Sequence, residues 1–280
     1  MGNSENIIYT TKAQEKIDKI LTWGPGKVQV IADFDKTLTY GNQESIIAVL
    51  YNYQYLSEDY TQKAKELEKI YQPKEEDQTL SWEERQVLMN ERRVKHFQIL
   101  IESGLTKKHI EKVVDSGIVK LRNWCHEFID QLHTLGIPMI ILSASGLGMD
   151  SIERFFHEHL GKHQKLFIIS NGFVRNEEGR AIMWKEPIIT SLNKNETVIS
   201  EKHFPEIYHE IQGRTNIILL GDKIEDLSMA EGVPSETILK IWFLNSWNEE
   251  KLRLYEQYFD IIIPGELGME EVMKILGKMR

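Results

Sequence analysis

The chain has 280 residues, 41% of them apolar, enough to bury one large core or two modest ones. A formal charge of −9 argues against a dedicated nucleic-acid or anionic-membrane surface, no apolar run is long enough to span a bilayer, and the first residues lack the basic and hydrophobic regions of a secretory signal. Cys125 is the single cysteine, so no internal disulfide can form and a reducing, cytoplasmic compartment is expected.

In chain order, the first 27 residues predict a helix over residues 11–21, closed by Gly24-Pro25-Gly26. Val28-Gln29-Val30-Ile31-Ala32 then reads as a buried parallel strand, and it ends in two carboxylates spaced one residue apart, Asp33 and Asp35. Open α/β sheets bind ligands at that end of their strands. Two carboxylates a few Å apart repel, which favours a shared proton or a divalent cation between them. A lone Asp after a strand is as often a turn or helix-cap residue, so one such strand end decides little without others like it. From about Gly41 to Trp124 no β-rich run occurs, and charged helical stretches are predicted over 63–70, 81–102 and 106–121. Ser81-Trp82-Glu83-Glu84 has the pattern of a capping box. Residues 41–124 therefore read as a helical domain inserted after the first strand of an α/β domain made of residues 1–40 and 125–280. Such an insert leaves the sheet beside Asp33 and Asp35, where it can exclude water and contact the rest of a substrate.

Strands return near residues 138, 166, 217, 239 and 261, and residues 167–184, broken at Asn176-Glu177-Glu178-Gly179, read as a β-hairpin. Pro138-Met139-Ile140-Ile141-Leu142 stops at Ser143 and is followed by Ala144-Ser145-Gly146-Leu147-Gly148 and an amphipathic stretch from Asp150. A strand, a small-residue loop and a helix start present backbone N–H groups to an anion, and Ser143 adds a hydroxyl. Asn216-Ile217-Ile218-Leu219-Leu220-Gly221 stops at Asp222 and runs on through Lys223-Ile224-Glu225-Asp226 into a predicted helix. Acid, hydroxyl and acid at three strand ends exceed what packing requires. Carboxylates for a hard cation, with a hydroxyl and amides for an anion, describe a phosphate site bridged by magnesium on Asp33 and Asp222. A cationic side chain should offset the phosphoryl charge. Lys194 lies between the second and third strand ends; by spacing alone Lys185 and Lys202 compete with it. Trp242, Phe243, Tyr255, Tyr258 and Phe259 are expected in the core.

Asp33-Phe34-Asp35-Lys36-Thr37-Leu38-Thr39, Ser143, Lys194 and Gly221-Asp222-Lys223-Ile224-Glu225-Asp226 fall in the order of the four motifs of the haloacid-dehalogenase superfamily of phosphatases. Within it the chain resembles the cytosolic 5′-nucleotidase III (pyrimidine 5′-nucleotidase) family from about Val28 onward, most closely in residues 217–233 and 238–245 and at Asn193-Lys194-Asn195 and Ser170-Asn171. The resemblance implies an α/β, haloacid-dehalogenase-like parallel sheet flanked by helices, with a helical cap after the first strand. It further implies magnesium-dependent hydrolysis of nucleoside 5′-monophosphates to nucleoside and phosphate through an aspartyl phosphate. Asp33 would be the nucleophile and Asp35 the acid and base. Magnesium would sit on the Asp33 and Asp222 side chains and the Asp35 carbonyl, with Asp226 in support. Ser143, Ala144 and Lys194 would hold phosphate, and Glu91 would read the nucleobase. Arg92 and Arg93 stand where the family usually places aromatics, and the loop Ser143–Gly148 is longer than the family's Ser-Ala-Gly pattern. The expected partner is a nucleoside monophosphate, met by a monomer or weak oligomer without nucleic acid or membrane. The rival readings are a phosphatase for phosphoserine or a sugar phosphate, and a non-catalytic nucleotide or protein binder. Retention of all four acids counts against the latter, since clustered carboxylates are costly without a metal to hold.

Overall fold

The computed structural model describes residues 6–77, 79–160, 165–195 and 203–279, so the first five residues and Lys202 lie outside the described residues. In chain order the elements are β1 (Ile8–Tyr9), α1 (Ala13–Trp23), β2 (Val28–Ala32), α2 (Ile46–Asn52), α3 (Glu58–Glu76), α4 (Trp82–Glu102), α5 (Lys107–Asp115), α6 (Cys125–Leu135), β3 (Met139–Ser143), α7 (Met149–Leu160), β4 (Leu166–Ser170), β5 (Phe173–Arg175), β6 (Ala181–Trp184), α8 (Pro205–Ile211), β7 (Asn216–Gly221), β8 (Thr237–Leu244), α9 (Glu249–Tyr255), β9 (Ile261–Pro264) and α10 (Glu270–Leu276). A seven-stranded sheet runs in the order β1-β9-β8-β7-β2-β3-β4, and every neighbouring pair is parallel except β1 with β9.

β2, β3, β7 and β9 are buried at every position, as their predominantly apolar runs require of strands covered on both faces. Alternate residues divide between two cores. Val30, Ala32, Ile141, Ile218 and Leu220 pack with α1, α6 and α10, while Ile31, Ile140, Leu142, Ile217 and Leu219 pack with α8. The pairings of Ala32 with Ile141 and with Leu220 bring the carboxyl ends of β3, β2 and β7 side by side, so Asp33, Ser143 and Asp222 emerge at one edge of the sheet.

Between β2 and α6 the described residues form helices α2 to α5 and no strand of the sheet. The capping box forms: the Glu84 N–H donates to Ser81 Oγ at 3.1 Å and the Ser81 N–H to Glu84 Oε2 at 2.8 Å. Several expectations need correction. α5 stops at Asp115 rather than near 121, because the Ser116 hydroxyl turns back to the Val113 carbonyl and Gly117 takes a left-handed φ of 65°. Residues 166–170 belong to the outer strand of the main sheet, where Ile141 pairs with Ile168, and only β5 and β6 make the hairpin. The segment after Asp222 winds as a 3₁₀ helix over Ile224–Ala230. Trp242, Phe243, Tyr255 and Phe259 are buried, but Tyr258 is 43% exposed. β1 carries no alternating pattern long enough to read, being two residues.

Candidate active site

The last rung of β2 on β7 is the Asp33 N–H on the Leu220 carbonyl, 3.1 Å away, and the strand ends because the chain then turns at Phe34, whose carbonyl accepts from the N–H groups of Thr37, Leu38 and Thr39. Phe34 is fully buried, edge-on against Phe155 and Phe156 of α7 at 5.5 and 5.7 Å, which anchors the turn between the two aspartates. Asp35 accepts from the Ile46 N–H at the start of α2, 3.1 Å.

The structure brings Asp33, Lys194, Asp222 and Asp226 together. Carboxylate oxygens of Asp33, Asp222 and Asp226 lie within 4.8 Å of one another, and all three side chains are buried. Lys194, 4% exposed, pairs with Asp33 through a short contact and with Asp226 Oδ1 at 3.1 Å, which selects it as the cation of the cluster. Asp226 is already committed: Oδ2 accepts from the Asp222 and Lys223 N–H groups, both at 3.0 Å, and Oδ1 from Lys194. Gly221 is required here by close approach, since a Cβ on it would come within 2.7 Å of the Asp226 Cβ. The arrangement leaves Asp33 and Asp222 as the carboxylates able to hold a cation. Burial, partly offset by Lys194 and reinforced by Asp226 and Asp222, pushes Asp33 up to about 8. Burial and Asp226 push Asp222 up to about 6. Buried, mutually repelling oxygen donors of this kind suit a hard divalent ion, which would relieve both effects.

Ser143 ends β3, 1% exposed, and its Oγ accepts from the Ser145 N–H at 3.2 Å, while Ser145 Oγ accepts from the Leu147 N–H at 3.3 Å. The loop after β3 is thus wound by its own hydroxyls. Asn171, buried after β4, gives its amide to the carbonyls of Ser145 and Ile189 and accepts from the Ile189 N–H, tying this loop to the segment that carries Lys194. Lys185 follows β6 and packs beside Gly172.

A model of the pyrimidine 5′-nucleotidase family (UMPH-1) matches residues 36–280. The chain belongs to that family. The 7-methylguanosine phosphate-specific 5′-nucleotidase of Gallus gallus is 35% identical over 259 residues, covering 90% of this chain and 88% of its own. The crystal structure of cytosolic 5′-nucleotidase IIIB bound to cytidine superposes with a TM-score of 0.84 at 26% identity, over 99% of this chain and 93% of that one. A phosphoserine phosphatase captured as a phospho-aspartyl intermediate analogue shares the fold, with a TM-score of 0.52 at 18% identity over 89% of this chain and 97% of its own. This member of the pyrimidine 5′-nucleotidase family is accordingly a hydrolase built on the haloacid-dehalogenase fold.

In this nucleotidase-family chain the helices between β2 and β3 reach both loops of the site. Arg93 of α4 donates to the Ala144 carbonyl at 2.7 Å, Gln86 donates to the Leu192 carbonyl at 2.8 Å, and Met89 packs in one cluster with Leu192. Arg92 pairs with Glu75 of α3 at 3.0 Å, and Ser191 donates to the same carboxylate at 2.6 Å. Glu91 lies two residues beyond Met89, its side chain 46% exposed and paired with Lys95 at 2.6 Å. Arg92 and Arg93 are thus engaged in the insert and the loops rather than on a solvated face with Lys95. Sequence reasoning missed Glu75, Gln86, Arg122 and Asn245. Of these, Asn245 alone left a signal: it is a polar residue ending the apolar run Trp242-Phe243-Leu244.

Glu75 supplies a pH test. Burial alone would raise its carboxyl; Lys223, the Ser191 hydroxyl and Arg92 outweigh it and hold the group below its ordinary value. A carboxyl depressed on folding contributes stability above its unfolded pKa and loses it as pH falls through the folded one. The Tm difference between wild type and Glu75→Gln should therefore be largest near neutrality and shrink below about pH 4. A difference constant from pH 7 to about pH 3 would contradict this.

Among the described residues no helix is long and apolar enough to cross a membrane.

Proposed function

We propose that the chain is a cytosolic, magnesium-dependent 5′-nucleotidase that cleaves nucleoside 5′-monophosphates in two steps. The observation that carries this is the meeting of Asp33, Asp222 and Asp226 with Lys194 at the ends of adjacent strands, in a chain of this family. An Asp33 oxygen attacks phosphorus as the bond to the ribose O5′ breaks, and Asp35 donates its proton to that oxygen. Asp35 then takes a proton from the water that attacks the aspartyl phosphate, releasing phosphate and restoring Asp33. Lys194, the Ser143 hydroxyl and the backbone of the loop at Ala144 hold the phosphoryl oxygens through both steps. Asp33, Asp222 and the Asp35 carbonyl would hold magnesium, which when bound supplies positive charge opposite the phosphoryl group.

The names of the relatives support a nucleotide as the substrate. Residues 41–124 act in this reading as a cap over the site, joined to it by Arg93, Gln86 and Glu75. Glu91 is assigned to the nucleobase, for which it must exchange its partner Lys95. Phosphate release should be measured on nucleoside monophosphates, sugar phosphates and phosphoserine, with magnesium and with chelator. Nucleotides should be preferred, and only with the metal. Glu91→Ala should weaken nucleotides by about 1 to 3 kcal/mol, the scale of one lost hydrogen bond, and leave p-nitrophenyl phosphate unchanged. Arg92→Trp should raise nucleotide kcat/KM by adding stacking area. If the ratio of nucleotide to p-nitrophenyl phosphate kcat/KM is flat across the three proteins, α4 reads no base and the phosphoserine or sugar-phosphate reading replaces this one.

A further inference from the structure

Arg122, just before α6, is 1% exposed and donates to five neutral oxygens. Its Nε donates to the Thr37 carbonyl at 3.0 Å, Nη1 to those of Gly265 and Leu267 at 3.2 and 3.0 Å, and Nη2 to the Lys36 carbonyl at 3.0 Å and to Asn245 Oδ1. The Phe243 ring lies 4.5 Å from the guanidinium. Among the described residues Arg122 makes no ion pair; Glu266 and Asp222 act on its charge only from beyond contact, so neutral oxygens carry the buried guanidinium. Asn245 passes the contact on: Nδ2 donates to the Lys36 carbonyl at 3.1 Å and to Asp222 Oδ2 at 3.3 Å. Only one amide orientation works, since the flip would set the NH₂ against the guanidinium and the oxygen against a carbonyl and a carboxylate.

The same two side chains hold a strained point. Lys36, the residue after Asp35, has a left-handed φ of 66°, and its carbonyl is gripped by both Arg122 and Asn245. Room for Asn245 is kept by Gly41, where a Cβ would come within 2.0 Å of Asn245 Oδ1.

We propose that Arg122 and Asn245 are positioning residues: Arg122 fixes the Asn245 amide, and Asn245 sets the rotation of the Asp222 carboxylate and the height of the Asp35–Lys36 turn for a divalent cation. The proposal rests on the magnesium-phosphatase reading and adds a relay from outside the acidic cluster. Side chains that orient metal ligands in this way change affinity by about 10 to 100-fold when removed.

The test uses Mg²⁺ alone, titrated into the full chain by calorimetry without substrate, together with Tm in chelator and steady-state kinetics. Asn245→Ala should bind Mg²⁺ about 10 to 100-fold more weakly, with KM for the phosphoester unchanged; its Tm in chelator should fall, because the buried guanidinium loses one acceptor, and the titrations are made well below that Tm. Arg122→Ala removes five hydrogen bonds and risks unfolding, so Arg122→Lys is used instead. It should weaken Mg²⁺ binding in the wild-type background and do so markedly less in Asn245→Ala, because the part of its effect carried by the amide to Asp222 is then already lost and only its direct hold on the Lys36 carbonyl remains. Unchanged Mg²⁺ affinity in Asn245→Ala, or additive losses in the double variant, overturns the relay while leaving the phosphatase reading intact. A wild-type chain that takes up no Mg²⁺ overturns both.

Discussion

Replacing Asp33 with Asn should remove phosphate release almost entirely, with kcat falling on the order of 10⁴-fold or more and KM little changed, because the amide cannot form the aspartyl phosphate. The fold should survive the change. Asn keeps an oxygen for Lys194 and a backbone N–H for the Leu220 carbonyl, and it removes one of three crowded, buried carboxylates. Burial and the charges of Asp226 and Asp222 make Asp33 costly to keep ionised, so Tm measured without metal should equal or exceed that of the wild type. Loss of stability with retained turnover would reverse both halves of the expectation and assign Asp33 to the fold.

Asp35→Asn should lower kcat by about 10² to 10⁴-fold, the usual worth of a general acid and base. Mg²⁺ binding and KM should hold, since the metal contact assigned to this residue is its carbonyl and the amide oxygen can still accept from the Ile46 N–H. Single-turnover measurement adds a sharper criterion: both formation and breakdown of the phosphoenzyme should slow. Turnover at the wild-type rate near neutral pH would remove Asp35 from the reaction.

Much of this site is legible in the sequence because it lies where apolar runs end. Asp33, Ser143 and Asp222 each close a strand that must be buried on both faces, so a polar residue there can only emerge at the sheet's end, and neighbouring strands bring the three together. Lys194 can be placed between two such ends but not chosen over Lys185, since its selection depends on a loop folding back onto Asp33 and Asp226. Asn245 obeys the same rule as the aspartates and is readable. Arg122 is not, for its partners lie 85 to 145 residues away, mostly as backbone carbonyls that any residue type offers, and nor is the tie from Glu75 to the loop, whose Ser191 lies 116 residues away. The outer strand Leu166–Ser170 is easily run into the hairpin because only Asn171-Gly172 separates it from β5.

The far side of the sheet raises a problem of a different kind. Beyond β8 the last parallel strand is Ile261-Ile262-Ile263-Pro264, three successive isoleucines with an open row of backbone donors and acceptors on one side. Such an edge is a template for pairing with another chain. Ile8 and Tyr9 cover it, held by the antiparallel pairing with Ile262 and Ile261, by the Thr10 N–H on the Asp260 carbonyl at 2.9 Å, and by the Tyr9 hydroxyl on Glu271. Two residues far from any chemistry thus close the edge, and the adjoining Pro264, which has no N–H to offer, shortens the stretch left to cover. Loss of Ile8 and Tyr9 would therefore be felt as self-association in a crowded solution rather than as a change in turnover.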